Sequence, residues 1–209
     1  VLKDTEDVWN KLMRTQMNKE YQEPVLVLYR GRTGSGCGPA NSQVGPFYCP
    51  ADQKVYLDLG FFEEMQDKFK APGDFAMAYV VAHEVAHHVQ NQLGLSDQVQ
   101  RGQQSARSKE EANELSVRLE LQADYLAGVW AHHAQQSKQI LEKGDLQEAL
   151  HAATRIGDDM IQQQATGTVR PESFTHGSAA QRVRWLKEGL QSGDMSRMME
   201  LFEIPYDQL

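Results

Sequence analysis

Residues 75–82, Phe-Ala-Met-Ala-Tyr-Val-Val-Ala, are almost wholly apolar, and the run continues as His83-Glu84-Val85-Ala86-His87-His88-Val89. A helix that is apolar on all sides has to be buried, so the rest of the chain must wrap around it. Its polar residues are constrained by the same burial. Two imidazoles and a carboxylate inside a core cost free energy unless each finds a partner. His83 and His87 are four apart and project from one helix face, one turn above the other. At that separation each imidazole can give one nitrogen to a tetrahedral Zn2+, and a buried metal is the simplest partner for both. Glu84 is too close to His83 to share its coordination, but it can reach a water held by the metal and take its proton.

The three fixed letters of His-Glu-x-x-His arise by chance in roughly one such sequence per hundred, so the motif needs support from elsewhere in the chain. A catalytic zinc site takes three protein ligands and keeps a fourth position open. Glu120 and Asp124, within Leu119-Glu120-Leu121-Gln122-Ala123-Asp124, are also four apart and share a face of a second long helical pattern. Like charges at that spacing repel mildly on a solvated helix. Opposite a dication the same arrangement becomes favourable. Glu120 is therefore the candidate third ligand of one Zn2+ per chain. Asp124 is the candidate acceptor for the non-ligating nitrogen of a zinc histidine. Satisfied core histidines and solvated surface carboxylates are the alternatives for these residues.

Around these two helices the pattern is α+β and predominantly helical. Residues 4–19 carry Val8, Trp9, Leu12, Met13 and Met17 at helical spacing. Residues 25–29 read as a strand, and the four glycines of 31–38 as loop. Phe47 and Tyr48 face residues 55–57 across a Pro50-Ala51-Asp52-Gln53 turn, which predicts a hairpin. Residues 61–69 predict a short helix ended by Ala71-Pro72-Gly73, with Asp74 as cap of the long helix to Leu93. Residues 95–109 are mostly polar and predict a surface segment free to move. Ser108 with Glu110 and Glu111 opens the next helix, which continues through Trp130. Further helical patterns occupy 145–164, 179–190 and 195–202, and a polar connection over 166–177 separates the first two. With 209 residues, 40% hydrophobic and 24% charged, the chain reads as one globular domain over 1–209. Its 21 basic and 29 acidic residues, without a dense Lys/Arg cluster, make nucleic acid an unsuitable partner. No apolar run is long enough to cross a bilayer. The chain opens at Val1 without an initiator Met, so its N-terminus is expected to have been cut.

The His83-Glu84-x-x-His87 helix followed by Glu120-x-x-Ala123-Asp124 resembles the glutamate-type zincins, among them membrane-associated peptidases in which Glu-x-x-Ala-Asp supplies the third ligand. Further motifs narrow the resemblance. Gly45-Pro46-Phe47-Tyr48-Cys49-Pro50-Ala51-Asp52, Val55-Tyr56-Leu57-Asp58 and Gly128-Val129-Trp130-Ala131 precede Phe174-Thr175-His176-Gly177 and Gln181-Arg182-Val183-Arg184-Trp185. As a set, over residues 29–190, they are similar to the bacterial neutral zinc metallopeptidases of the YpfJ type. The resemblance implies a zincin-like fold with a small antiparallel sheet or hairpin and a helical C-terminal half. It also implies a membrane segment ahead of this domain. That would hold the protein at the inner membrane of a bacterial cell envelope, with the domain in the periplasm or another extracytoplasmic space. His176 resembles a histidine that approaches the active site in related membrane zincins. In that role it donates to the oxyanion of the tetrahedral intermediate, and an ordinary loop histidine is the alternative.

The expected function is hydrolysis of peptide bonds in a peptide or protein substrate, with zinc on His83, His87 and Glu120, and Glu84 as general base. The alternative is a zinc-stabilised, inactive or latent protease-like adaptor or chaperone of the envelope, its cleft covered by residues 95–109 or by the loop at His176. Residues 55–57 are expected at the cleft edge, pairing with an extended substrate. Cys37 and Cys49 allow a metal site, free thiols or a disulfide closing the glycine loop. The disulfide is preferred, and it requires an oxidising compartment. His88 points away from the other two histidines and reads as packing, Tyr125 as core, and His132, His133 and His151 as surface. Arg182 and Arg184 are expected to pair with acidic groups such as Asp158 or Asp159.

Overall fold

In the computed structural model, which describes residues 1–41, 45–67, 74–142 and 144–209, the apolar run forms helix α3 (Asp74–Leu93). Phe75, Ala76, Tyr79, Val80, Val85, Ala86 and Val89 are all buried, so the helix is enclosed on every side. Asp74 lies in its first turn rather than capping it, and the predicted stop at Ala71-Pro72-Gly73 falls outside the described residues. Helix α1 (Leu2–Met17) packs Val8, Trp9, Leu12 and Met13 into the same core. The N-terminal half also holds strands β1 (Val25–Tyr29), β2 (Arg32–Ser35), β3 (Gly38–Asn41), β4 (Phe47–Cys49) and β5 (Lys54–Asp58), then helix α2 (Leu59–Asp67).

Two expectations for this half change. The glycine stretch is an antiparallel hairpin, β2–β3, instead of loop. It reverses at Gly36 and Cys37, and the Gly36 N–H donates to Asp52 at 2.8 Å. Residues 55–57 are not at an edge, because β5 is the central strand of a mixed sheet ordered β1-β5-β4. β4 pairs with β5 antiparallel, as the turn predicts, and β1 joins the other side in parallel. Strand order depends on pairing between distant segments, which alternation along one strand does not encode.

After α3 come α4 (Leu95–Gln104), α5 (Lys109–Lys138), α6 (Asp145–Arg155), α7 (Asp158–Thr166), α8 (Ala179–Ser192) and α9 (Glu200–Glu203). The polar segment after Gly94 is thus mostly helix, because Leu95 and Val99, one turn apart, are buried against the core side. Ser108 caps α5 by accepting the Glu111 N–H. The pattern over 145–164 divides at Gly157, where a Cβ would run into the backbone of Ala179. The Asp158 N–H then donates to the Gly177 carbonyl at 2.9 Å. Helices α5 and α8 cross closely at Gly128 and Gly189: a Cβ on Gly128 would meet the Leu186 carbonyl, and one on Gly189 that of Tyr125. His132 and His133 are half-buried at the end of this crossing, not surface residues, and donate to the Leu190 and Gly193 carbonyls at 2.8 Å each. None of the helices among the described residues is long and apolar enough to cross a membrane.

Candidate metal centre

Helices α3 and α5 bring together the two i, i+4 pairs. His83 Nε2 lies 3.2 Å from His87 Nε2 and 3.2 Å from Glu120 Oε2. Glu120 Oε1 is 3.5 Å from His87 Nε2. One ligand atom from each of the three residues lies within 4.8 Å of the others, close enough to hold a single metal ion. Glu84 is buried, lines the adjoining cavity and makes no hydrogen bond to any described residue. Its carboxylate is therefore not engaged elsewhere in the described fold.

The opposite side of the His83 ring is held by a fully buried carboxylate. Asp124 Oδ1 accepts from His83 Nδ1 at 2.8 Å and from the Tyr79 hydroxyl at 2.6 Å. Arg182, on α8, donates to both Asp124 oxygens at 2.8 and 3.1 Å, to the Tyr79 oxygen at 3.3 Å and to the Ile156 carbonyl at 3.3 Å. Arg182 thus pairs with an acidic group at the site, as expected, but with Asp124 rather than Asp158 or Asp159. Arg184 instead donates to the Gln208 carbonyl. The other histidine is held from its own helix, with His87 Nδ1 2.9 Å from Gln90 Oε1.

Charge balance tests whether a cation fits. Burial pushes the His83 pKa down, but Asp124 and Glu120 outweigh it and raise it to about 10. Burial likewise opposes the upward shift of His87, which Glu120 drives. Against its own burial, Glu120 is held well below the carboxylate range by His87 and His83, and Asp124 is held at about 2 by Arg182 and His83. The carboxylates thus demand positive charge at the imidazole nitrogens. A dication on His83, His87 and Glu120 supplies it with both rings neutral, so the donor set fits zinc in ligand type and count.

The trio opens into a cavity of about 550 Å³, with Phe47, Tyr48, Phe61 and Ile161 among its apolar walls. His176 reaches the same cavity. Its loop is fixed by Asp158, one carboxylate oxygen of which accepts the N–H groups of Thr175, His176 and Gly177 at 2.7, 2.7 and 3.2 Å. The other oxygen lies 3.2 Å from His176 Nδ1. Gly177 follows at φ 93°, a left-handed conformation suited to glycine. β4, the outer strand beside β5, contributes Phe47 and Tyr48, so the strand at the cavity is β4 and not residues 55–57.

Residues assigned to packing also gain definition. His88 is buried with Nδ1 3.0 Å from the Tyr48 hydroxyl and Nε2 2.6 Å from the Gln22 carbonyl, bracing β4 against α3. Tyr125 is buried and bonds Ser192 and the Asp194 carbonyl. His151, expected at the surface, is instead half-buried on α6, where it accepts from Arg155. Cys37 and Cys49 form a disulfide that ties the β2–β3 turn to the end of β4. Sequence reasoning misses Tyr79 and Gln90 as site residues, and it names Asp158 only as a partner for the arginines. Both missed residues carry a signal in the helical period, Tyr79 lying four residues before His83 and Gln90 three after His87, each on its histidine's face.

Known proteins give a consistent picture. The family model described as "Putative neutral zinc metallopeptidase" matches residues 1–200. The Escherichia coli K12 "Uncharacterized protein YpfJ" is 56% identical over 194 residues, which are 93% of this chain and 67% of that protein. The Mycobacterium tuberculosis H37Rv "Uncharacterized protein Rv2575" is 47% identical over 197 residues, 90% of this chain and 64% of its own length. No solved structure matches. With the family model covering nearly the whole sequence and relatives about half identical along nine-tenths of it, the chain belongs to the family of neutral zinc metallopeptidases.

Proposed function

We propose that the chain is a zinc-dependent endopeptidase acting on extended peptide or protein segments, with one zinc per chain held by His83, His87 and Glu120. The observation that carries this reading is the convergence of those three donors beside Glu84, whose carboxylate is unengaged among the described residues and lines the cavity. A purely structural zinc site has four protein ligands and no use for a base. Here the group contains three among the described residues, which favours catalysis over an adaptor role.

Held by His83, His87 and Glu120, zinc would supply Lewis-acid polarisation of the scissile carbonyl and of a water. Glu84 takes a proton from that water and passes it to the leaving amine, so one water is consumed and one acid and one amine result. His176, whose Nδ1–H is engaged by Asp158, donates from Nε2 in its protonated form to the oxygen that gains negative charge. Asp124 and Arg182 hold the His83 ring in place. β4 offers its outer edge to the substrate backbone. The disulfide agrees with work in an oxidising space, and we assign the domain to the extracytoplasmic side of a bacterial envelope, anchored at the inner membrane by a segment outside this chain.

Metal analysis of the purified protein is expected to find about one zinc per chain. Glu84→Gln should keep that zinc and lose peptide cleavage by about 10²–10⁴-fold, the usual worth of a positioned general base. Full cleavage by the variant would overturn the assignment of the base.

A further inference from the structure

Gln90 and Gln122 are both completely buried, and their hydrogen bonds form a chain that starts at His87. The Gln90 amide nitrogen donates to the Leu119 carbonyl at 2.7 Å and to Gln122 Oε1 at 2.9 Å. The Gln122 amide nitrogen donates in turn to the Met198 carbonyl at 3.0 Å. A backbone carbonyl can only accept, so Leu119 and Met198 dictate which end of each amide is the NH₂. The Gln90 oxygen must then face His87. Because that oxygen is purely an acceptor, the proton sits on His87 Nδ1, and the lone pair is left on Nε2, the nitrogen that converges with His83 and Glu120. Gln90 also ties His87 to the turn that carries Glu120, since Leu119 is the residue before it.

We propose that Gln90 and Gln122 are positioning residues of the metal centre. They form a two-amide relay, anchored on the Leu119 and Met198 carbonyls, that selects the His87 tautomer and locks its ring to the helix carrying Glu120. The His83 ring is set by a charged partner, Asp124, while the His87 ring is set by a neutral one. The far anchor, Met198, lies in the 3₁₀ turn Met195–Met199. Zinc affinity is thereby coupled to how the C-terminal segment packs on α5.

The inference rests on the metal site assigned above and is tested by zinc affinity, read by chelator competition without any peptide substrate. Gln90→Met keeps the shape and removes the bonds, and it should weaken zinc binding by about 10–100-fold, as losses of partners to metal-bound histidines do. Gln90→Glu keeps an acceptor for Nδ1–H and should recover most of that affinity. It also sets a carboxylate against the Leu119 carbonyl, so its metal-free melting temperature should be no higher than that of Gln90→Met. This divergence between affinity and melting separates positioning from plain structural support. Gln122→Met, which removes one of the two acceptors that hold the Gln90 amide and leaves only the Leu119 carbonyl, should weaken zinc binding less but at least severalfold, and it carries the test alone if Gln90→Met does not fold. Zinc affinity within twofold of wild type in Gln90→Met or in Gln122→Met overturns the proposal, as do equal losses in Gln90→Met and Gln90→Glu. Wild-type protein that binds zinc but cleaves no peptide would remove the endopeptidase reading and leave this one standing. Wild-type protein with no zinc affinity would remove both.

Discussion

Asp124 and Arg182 bear on stability as well as on the His83 ring, because both are buried and each satisfies the other. Replacing one partner of a buried ion pair leaves the other charged and uncompensated, a loss of about 3–5 kcal/mol. Asp124→Asn is nearly isosteric, so its cost is electrostatic. It should lower unfolding stability in denaturant by about that amount and weaken zinc binding together. A fall in zinc affinity without loss of stability would show that Arg182 finds another counter-charge.

Asp158 and His176 make a second residue-scale prediction, on pH. The hydrogen bond to Asp158 raises the His176 pKa above 6.5 against the effect of burial. Burial pushes Asp158 up, and His176 with the loop N–H groups outweighs it, leaving Asp158 below 3.8. The raised histidine contributes stability that is complete below 6.5 and is lost as pH climbs through its folded value. The lowered carboxylate contributes above 3.8 and is lost as pH falls through its own folded value. The loop is therefore held best at mildly acidic pH, above 3.8 and below 6.5, where both contributions are complete. A proton NMR titration should place His176 above 6.5 in the wild type and return it toward 6.5 in Asp158→Asn. Identical titrations in both proteins would rule out the pairing.

At the scale of elements, the close crossing of α5 and α8 decides whether the site assembles, since α5 carries Glu120 and Asp124 and α8 carries Arg182. Gly128 and Gly189 allow the two backbones to meet, and a methyl at either position would run into a carbonyl of the other helix. Gly128→Ala and Gly189→Ala should each cost about 1–3 kcal/mol from overpacking, despite alanine's better helix propensity. Chemical denaturation would read this, and unchanged midpoints would show that the helices can separate without penalty. The disulfide is the other such device. It closes a short loop spanning 12 residues of sequence, and chain-entropy arguments give such a bridge about 3 kcal/mol. Cys37→Ser with Cys49→Ser should lower the melting temperature and loosen β4, the cavity wall, and hydrogen exchange at residues 47–49 would detect it. These elements were legible to different depths. β1 and the β4–β5 hairpin followed from short apolar runs and turn residues. The β2–β3 hairpin did not, because its three glycines lack strand propensity and its pairing is secured by Asp52 and Cys49 from outside.

For the whole molecule, zinc should act as a ligand of an already folded protein. The core clusters Trp9, Trp130, Tyr79, Tyr125 and many aliphatic side chains around α3 and α5, and the three metal ligands are not among its members. Chelation should therefore lower the melting temperature without unfolding the chain at 25 °C. At free zinc one hundred times Kd the gain in stability is about 2.7 kcal/mol. Calorimetry with and without chelator checks this, and a chain unfolded by chelator at room temperature would make the metal part of the core.

Local sequence was enough for whatever depends on spacing within one helix. The pairing of His83 with His87 and of Glu120 with Asp124 follows from the 3.6-residue period, and an apolar helix around the histidines requires that they be satisfied. Only the tertiary structure decided the partners that come from other elements. Asp124 meets Arg182 across 58 residues of sequence, and Gln90 meets Gln122 across 32. β5 lies inside its sheet, and Gly157 breaks a continuous helical pattern because the Ala179 backbone lies against it. Periodicity reports which face of an element is buried and is silent on what that face meets. Those contacts depend on how helices cross and strands order, which is set by the packing of the whole chain.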